Sequence, residues 1–273
     1  MNPFAKAARD CLPPLALRTI RRLRGSTARF SGAYRSWSEA ARDCPGYDSD
    51  HILRAVLDAT RRVMDGEAVF ERDSVLFHED SYEWPVLAGL LFAAARDAGR
   101  LSVLDFGGSL GSSYFQHRRL LAALPRLRWS VVEQPHYVDA GRRHVQDGAL
   151  RFHDDIASCV AAESPNVVLL SGVVQYLPDP WTVMDSLRAI GAHAIVMDRT
   201  IVNTGASDRL YVQHVPASIY RASYPCWSLS ERVMLDRMQA GYALEQAFDS
   251  LPFPGLERID SAFRGYLFRA VSR

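Results

Sequence analysis

A group of glycines directly after a short apolar run is the part of this sequence best suited to hold a ligand. Leu101–Leu104 is predicted to be a buried strand that ends at Asp105. Gly107, Gly108 and Gly111 follow, with serines between and after them, and a predicted helix comes next. Glycines allow a tight turn and a close approach of the backbone to a ligand, and a helix start offers free N–H groups to a polar or anionic group. This order of strand, turn and helix is typical of nucleotide-binding α/β domains.

The positions of the glycines in this turn restrict the class of ligand that it is predicted to bind. A dinucleotide fingerprint G-x-G-x-x-G from Gly107 needs glycines at Ser109 and Ser112, and it has neither. The stretch resembles motif I of class I S-adenosylmethionine (SAM) methyltransferases, acidic-x-G-x-G-x-G. Asp105, Gly107 and Gly111 match this motif, and Ser109 stands at its middle glycine. A tight turn that binds nothing is the alternative. The resemblance implies that the following residues bind SAM: Asp105, Gly107, Gly108, Ser109 and Gly111.

A carboxylate follows the second predicted strand, residues 129–132. Glu133 lies 22 positions after Gly111. A carboxylate at this distance, at the end of the second strand, binds the ribose hydroxyls of a nucleoside. We expect Glu133, with Gln134 beside it, to contribute to the cofactor site. An ordinary surface glutamate is the alternative.

Two aspartates follow the third predicted strand, residues 150–153. In the methyltransferases that the chain resembles, an acidic residue here accepts a hydrogen bond from the adenine amino group. The sequence does not decide between Asp154 and Asp155. Asp155 is favoured because Ile156 beside it could cover the ring, and solvated turn aspartates are the alternative.

The segment Asn166–Pro180 is the second part of the sequence that indicates a cofactor site. An apolar strand gives way to the small residues Ser171 and Gly172, then to Gln175 and Tyr176, and then to a proline turn. It resembles the segment after the fourth strand of class I methyltransferases, which passes under the methionyl part of SAM. The resemblance implies that Ser171 and Gly172 bind the cofactor, and we expect Gln175 and Tyr176 to bind the substrate.

The long connection 199–240 is predicted to be an acceptor-binding cap, because connections of this length are commonly functional. Tyr211 and Tyr224 within it are candidate substrate-binding residues. A hydroxyl acceptor benefits from a general base, and His214 is the first candidate because imidazole titrates near neutrality. Asp198, after the fifth strand, is the second candidate. A hydrogen-bonded surface histidine and a structural turn aspartate are the alternatives. Two residues nearer the N-terminus could also reach the pocket: His78 and Glu79.

Composition fits a soluble globular protein that is large enough for a full core. The chain has 273 residues, of which 48% are hydrophobic and 23% charged, with a net charge of +1. The four cysteines are scattered, with neither a C-x-x-C pair nor a histidine at ligand spacing, so we predict a reducing compartment, the cytoplasm, and no metal site.

Positive charge is concentrated in the N-terminal residues. Residues 1–35 carry eight basic residues and one acidic residue, which leaves −6 for the remainder. A peripheral segment that contacts a membrane surface or a partner fits this pattern, and so does a solvated basic tail. The remainder shows no basic excess, so nucleic acid is not expected as a substrate.

The pattern of elements predicts an α/β fold with a Rossmann-like, seven-stranded, mostly parallel sheet, helices on both faces and an antiparallel final strand. Residues 241–248 and 265–271 are the predicted final strands. We expect a basic segment and linker at 1–45, a helical lid at 46–100 and a methyltransferase domain at 101–273.

Three segments, DFGGSLGSSY, SGVVQYLPDP and QHVPASIYRASYP, together resemble a family of bacterial methyltransferases that occur with surface-polysaccharide biosynthesis genes. GYDSDHIL and FERDSVLF resemble it too. The resemblance implies SAM-dependent O-methylation of a small-molecule or glycan acceptor. An NAD(P)-dependent oxidoreductase is disfavoured by the failed dinucleotide spacing and by the lack of a Tyr-x-x-x-Lys pair, since Lys6 is the only lysine. A non-catalytic docking module of the same fold is the third possibility.

Overall fold

The computed structural model describes residues 29–44, 49–215, 222–250, 253 and 255–271. Most of the basic segment predicted at 1–35 therefore lies outside the described residues. Within them the elements follow in this order: β1 (Arg29–Tyr34), α1 (Trp37–Arg42), α2 (Ser49–Met64), β2 (Phe70–Arg72), β3 (Val75–Phe77), α3 (Trp84–Ala95), β4 (Arg100–Phe106), α4 (Ser112–Leu121), β5 (Arg126–Val132), α5 (Pro135–His144), β6 (Leu150–His153), α6 (Ile156–Glu163), β7 (Val167–Ser171), a 3₁₀ turn (Val174–Tyr176), α7 (Pro180–Ala189), β8 (Ala194–Asn203), β9 (Arg209–His214), β10 (Ser223–Ser230), α8 (Glu231–Met238), β11 (Tyr242–Asp249), a second 3₁₀ turn (Leu256–Ile259) and β12 (Ser261–Ala270).

Seven of these strands form the central sheet in the order β6-β5-β4-β7-β8-β12-β11. Strands β4 to β8 are all parallel, and β12 is antiparallel to both β8 and β11. The predicted α/β fold with a mostly parallel, Rossmann-like sheet and an antiparallel final strand is confirmed. Because parallel strands end at the same edge, the turns after β4, β5, β6, β7 and β8 all lie along one side of the sheet.

Alternate residues of the central strands face two different helical layers. Leu101 and Val103 pack with residues of α2 to α5, whereas Leu104 packs with residues of α6 to α8. Val168 and Leu170 face the second layer in the same way. Fully burying each such side chain stabilises the fold by about 1.5–3 kcal/mol. The helices predicted on both faces are therefore present, and none in the described part of the chain is long and apolar enough to cross a membrane.

The predicted cap extends the sheet. β8 is ten residues long, and its last residues, Val202 and Asn203, pair in parallel with β10. β10 pairs with β9, and β9 with β1, in antiparallel register. Leu210 and Val212 of β9 pack against α1 through a small core that includes Ala40. The opposite face of β9 contains Gln213, which contacts Tyr176 in the turn after β7.

The predicted linker and helical lid contain more regular structure than the sequence indicated. Residues 37–42, within the predicted linker, form α1, which begins where Ser36 Oγ accepts a hydrogen bond from Glu39 N at 3.3 Å. The range 46–100 contains α2, the β2–β3 hairpin and α3. Gly89 of α3 lies directly against Val196 of β8, so α3 belongs to the helical layer on the sheet.

Candidate cofactor-binding site

The turn after β4 has the backbone that its glycines predict. Gly107 and Gly111 have φ values of +71° and +90°, in the left-handed region that favours glycine. A Cβ at Gly107 would overlap Val173, and one at Gly108 would overlap the Asp105 carboxylate. Ser109 also has a positive φ, +55°, so the serine at the middle glycine of the motif keeps a glycine-like backbone. The turn thus presents bare backbone beside the start of α4.

The Asp105 carboxylate packs directly against this turn at Gly108. Its side chain is 1% exposed and accepts a hydrogen bond from Trp129 Nε1 at 2.9 Å. Burial raises the pKa of Asp105 to about 7, although the Trp129 hydrogen bond opposes the shift. A carboxyl enclosed beneath Gly108 positions the turn and has no open side from which to contact a ligand directly.

Glu133 faces the same turn from the end of β5. Its carboxylate accepts a hydrogen bond from Gln134 N at 2.7 Å. Burial raises the pKa of Glu133, and hydrogen bonding from the backbone of Gln134 and Ser109 opposes this shift. The structure therefore brings Glu133 and the glycine turn together, as the predicted ribose site requires. Gln134 itself is exposed at the start of α5.

The two aspartates after β6 have different environments. Asp155 caps α6, because its carboxylate accepts a hydrogen bond from Ser158 N at 2.7 Å, and this bond lowers its pKa. Asp154 instead pairs with Arg142 at 2.9 Å and is exposed. Each aspartate therefore has one protein partner, the Arg142 guanidinium for Asp154 and the start of α6 for Asp155.

Ser171 and Gly172 lie at the carboxyl end of β7, beside Asp198 of β8. Ser171 Oγ donates to Asp198 Oδ2 at 3.1 Å, and Ser250 Oγ donates to Asp198 Oδ1 at 2.8 Å. Gly172 has a φ of +71°. Asp198 is 2% exposed, so this predicted base has both oxygens engaged inside the protein.

Arg199 was not among the predicted site residues. It has a φ of +49° within β8 and lies over Gly172, where an added Cβ would be 3.5 Å from the guanidinium carbon. Its Nη2 donates to Ser171 Oγ at 3.0 Å, and its Nε lies 3.4 Å from Asp198 Oδ2. No local sequence signal predicts a left-handed arginine within a strand.

The β2–β3 hairpin supplies two further residues that the sequence reasoning missed. Glu71 is fully buried and accepts hydrogen bonds from Ser112 Oγ, at the start of α4, and from Ser74 N. Burial raises its pKa to about 7. Arg72 pairs with Glu83 at 3.2 Å and donates to Gln116 Oε1 at 2.8 Å. Both residues lie within FERDSVLF, one of the segments that carry the family resemblance in the sequence.

An aromatic wall lies near the turns after β7 and β8, and we call the space between these turns and the glycine turn the crevice. The aromatic wall consists of Tyr176, Tyr211, Gln213 and Tyr224. Tyr176 donates to Gln213 Oε1 at 2.9 Å and meets Tyr224 edge to face, with ring centroids 5.1 Å apart. Tyr211 lies on the same face of β9 as Gln213, two residues away. Gln175 is 1% exposed and donates to the Arg199 carbonyl at 3.1 Å. The structure thus gathers the four predicted substrate-binding residues near β7 and β8.

His214 lies elsewhere. It follows Gln213 in β9, so its side chain is on the opposite face of the strand, where Ser31 Oγ is 2.7 Å from Nε2. Burial, together with the charge of Arg29, lowers the pKa of His214. His78, the other histidine considered, is exposed and its Nδ1 lies 3.0 Å from the Glu67 carbonyl. Neither histidine is placed beside the glycine turn.

Comparisons with known proteins add structural similarity only. No family model matches the sequence, and no curated protein matches it. Similar solved structures include the N-terminal domain of EvdMO1 with SAH and D-fucose, at 17% identity over 82% of this chain and 98% of that one, with a TM-score of 0.48. The glycopeptide N-methyltransferase MtfA complexed with SAM matches at 12% identity over 67% and 93%, with a TM-score of 0.44. CalS10, an amino pentose methyltransferase from Micromonospora echinaspora, matches at 12% identity over 70% and 92%, with a TM-score of 0.42. These values are too low to assign the chain to a family.

Proposed function

We propose that this protein is a SAM-dependent methyltransferase that O-methylates a sugar or a glycan precursor. The observation that carries the proposal is the meeting of Glu133 with the glycine turn. A half-buried carboxylate with a raised pKa lies one strand away from a turn in which Gly107 and Gly108 leave no room for a Cβ. A carboxylate held at this energetic cost is typical of a binding site, because hydroxyl donors of a ligand would offset it.

The residues present fit the adenosyl and methionyl parts of SAM. Glu133 would accept from the ribose hydroxyls, and Asp154 or Asp155 would accept from the adenine amino group. The bare backbone of the turn, from Gly107 to Gly111, would lie along the nucleoside. Ser171 and Gly172 would lie under the methionyl part. When bound, SAM supplies an electrophilic methyl group on a sulfonium.

The chain's own contribution to transfer would be positioning and the exclusion of water. Alignment of an acceptor hydroxyl with the methyl group can account for effective molarities of ~10⁵ M or more. The aromatic wall offers tyrosine rings and amide groups of the kind that bind sugars, which supports a sugar acceptor. Its Tyr176 lies in the 3₁₀ turn that follows β7 and Gly172.

Of the two predicted bases, the geometry favours Asp198. It lies at the carboxyl end of β8, one hydrogen bond from Ser171. His214 is on the face of β9 that packs towards α1. Because both oxygens of Asp198 already accept hydrogen bonds, we propose that it would receive the acceptor proton through the Ser171 hydroxyl, with a contribution of ~10²–10⁴-fold.

The test is a thermal-unfolding series with SAM, S-adenosylhomocysteine (SAH) and NAD, using the full chain. Stabilisation by SAM and SAH only is expected. Stabilisation by NAD alone would contradict the proposal and favour the oxidoreductase. SAH binding without methyl transfer from labelled SAM to any acceptor in a cell extract would favour a docking module instead.

A further inference from the structure

Helix α4 begins directly after the glycine turn without a capping side chain. Gly111 occupies the N-cap position at a φ of +90° and has no side chain that could accept a hydrogen bond from the helix. The first turn of α4 contains no acidic residue either. A polar N-cap side chain and negative charge near the helix start are the usual local sources of stability there. The sequence of α4 supplies neither of them.

The missing cap leaves the backbone of this helix start bare where it borders the crevice. An N-cap side chain would occupy an N–H group of the first turn, which is the kind of donor that a polar ligand would contact. Four other helices, α1, α6, α7 and α8, have such a cap, at the following positions: Ser36, Asp155, Asp179 and Ser230. Bare backbone at α4 therefore fits a binding role for the turn, but it leaves the helix start without local support.

A carboxylate from the β2–β3 hairpin contacts this helix start. Ser112 is the first residue of α4, and its Oγ donates a hydrogen bond to Glu71 Oε1. The second oxygen of the carboxylate, Oε2, accepts from Ser74 N at 3.1 Å. Glu71 is fully buried, so water does not compete for either bond. Hydrogen bonds to an ionised acceptor are stronger than those between neutral groups. The hairpin thus supplies the support that the sequence of α4 lacks.

The hairpin is attached to α4 at a second point, one helical turn further along. Gln116 Oε1 accepts from Arg72 Nη2 at 2.8 Å, and Gln116 Nε2 donates to the Ser81 carbonyl at 2.8 Å. Residues four apart lie on the same face of a helix, so Ser112 and Gln116 face the hairpin together. These contacts hold Glu71 in place at the start of α4.

The buried charge of Glu71 is unfavourable for stability alone. Burial is the largest cause of its raised pKa, and the Ser112 hydrogen bond is the strongest of the interactions that oppose the shift. The charge of Arg72 opposes it least. A neutral side chain at this position would avoid the cost of removing a carboxylate from water. A buried charge whose main partner is the hydroxyl beside a ligand-binding turn fits a role in that turn.

We propose that Glu71 is a positioning residue of the cofactor site, which acts through Ser112 to hold the junction of the glycine turn and α4 in its SAM-binding conformation. The inference rests on the proposed function. The bond is made to the side chain of Ser112, so it supports the helix start without using the backbone N–H groups of the first turn. Glu71 therefore raises the affinity for SAM without contacting it.

The test measures the Kd of SAH by calorimetry for Ser112→Ala, Glu71→Gln and the double variant of the full chain. Ser112→Ala removes only the hydroxyl, and alanine has the best helix propensity, so the helix itself is not weakened. Glu71→Gln keeps the size of the side chain and removes its charge and one of its two acceptor oxygens. Ser112→Thr keeps the hydroxyl and is the conservative variant.

Ser102→Ala is the matched control. Ser102 is 1% exposed, and its Oγ donates to the Glu163 carbonyl at 2.9 Å, near the end of β4 that lies away from the glycine turn. It therefore loses a buried hydroxyl from the same strand without touching the turn. Amide hydrogen exchange of residues 107–113 in the ligand-free proteins provides a second readout that needs no ligand.

Both single variants should raise the Kd of SAH about fivefold or more, because a turn that is ordered for a smaller fraction of the time binds more weakly. The double variant should lose no more affinity than the more affected single variant, since both substitutions remove the same bond. Ser112→Thr should keep a Kd within about twofold of the wild type. Ser102→Ala should lower the thermal midpoint and leave the Kd unchanged. Exchange at residues 107–113 should be faster in Ser112→Ala and Glu71→Gln, and unchanged in the control.

Three results would overturn the inference: a wild-type Kd in Ser112→Ala, additive losses in the double variant, or a loss in Ser112→Thr equal to that in Ser112→Ala. Unchanged exchange at residues 107–113 in both single variants would overturn it as well. Failure of SAH to bind the wild type would contradict the proposed function, and the exchange measurement would still test whether Glu71 holds the turn.

Discussion

The Glu133→Gln variant separates cofactor binding from folding. Glu133 is half-buried beside the glycine turn, and its pKa is raised mainly by the loss of solvent around its carboxylate. The substitution keeps the size of the side chain and an oxygen able to accept from Gln134 N, which is 2.7 Å away in the wild type. It removes the negative charge that the proposed ribose hydroxyls would contact.

The magnitude follows from the contacts that would be lost. Hydrogen bonds to charged groups contribute about 1.5–3 kcal/mol each, and a glutamine retains part of one of the two. We expect a loss of about 2–4 kcal/mol, which corresponds to a ~30- to ~1,000-fold higher Kd for SAH.

Stability should change in the opposite direction. A carboxyl whose folded pKa lies above its unfolded value destabilises the folded state when it is ionised, and this cost disappears as the pH falls through the folded pKa. At pH 7.5 the neutral glutamine avoids the cost. The thermal midpoint of the ligand-free variant should therefore equal or exceed that of the wild type.

Calorimetry with SAH and thermal unfolding without ligand measure the two effects. Glu67→Gln is the matched control, because Glu67 is 54% exposed and pairs with Arg62 on the surface. An SAH affinity within about threefold of the wild type, in a folded Glu133→Gln protein, would refute the ribose assignment.

Three further predictions concern the turn, the buried carboxyls and the bases. Gly107→Ala should lower the free energy of unfolding by about 2–4 kcal/mol, because the added methyl group overlaps Val173 and the backbone is strained as well. Gly191→Ala, at a φ of +72° with open space around it, should lower it by only about 1 kcal/mol. Equal losses for the two variants in denaturant unfolding would contradict this. Glu71 and Asp105 have folded pKa values of about 7, above their unfolded values, so their contribution to the free energy of unfolding should rise as the pH falls from 8 to 5.5. The lowered pKa values of His117, His153 and His214 act in the opposite direction, so Glu71→Gln is compared with the wild type and should gain less, or lose more, stability over this range; identical pH dependences of the two proteins would refute the shift at Glu71. In transfer assays with labelled SAM, Asp198→Asn should lower turnover at least ~10²-fold and His214→Ala less than about threefold, with SAH affinity kept by both; the reverse order would restore His214 as the base.

The central sheet was predictable because its strands are buried on both faces and therefore appear as short apolar runs. The run 101–104 and the glycines after it indicated β4 and its turn without any tertiary information. The distance from Gly111 to Glu133 then reflects a short strand–helix–strand unit, in which the position of one carboxylate follows from local lengths. The meeting of Glu133 with the turn was predictable for this reason.

The missed elements depend on contacts that are distant in sequence. β2 and β3 have three residues each, and their turn uses Asp73 and Ser74 at positive φ, where glycine or asparagine would have been the recognisable signal. α1 is short and polar, and it is held by the stacking of Trp37 on Trp227. No local pattern encodes these pairings.

Arg199 shows the same limit within the site. Its backbone is set by the register between β8 and β12, which are joined by more than fifty residues of chain. Likewise, His214 lies in the segment predicted to be the cap, but the alternation of side chains along β9 directs it to Ser31. Only the pairing with β10 decides which face of β9 lies towards β7.

A crystal structure of the full chain with SAH bound tests the central claim most directly. We predict that the Glu133 carboxylate lies within hydrogen-bonding distance of both ribose hydroxyls, with the sulfur above Ser171 and Gly172. SAH bound away from the turn after β4, or a Glu133 carboxylate that makes no contact with the ribose, would contradict the account.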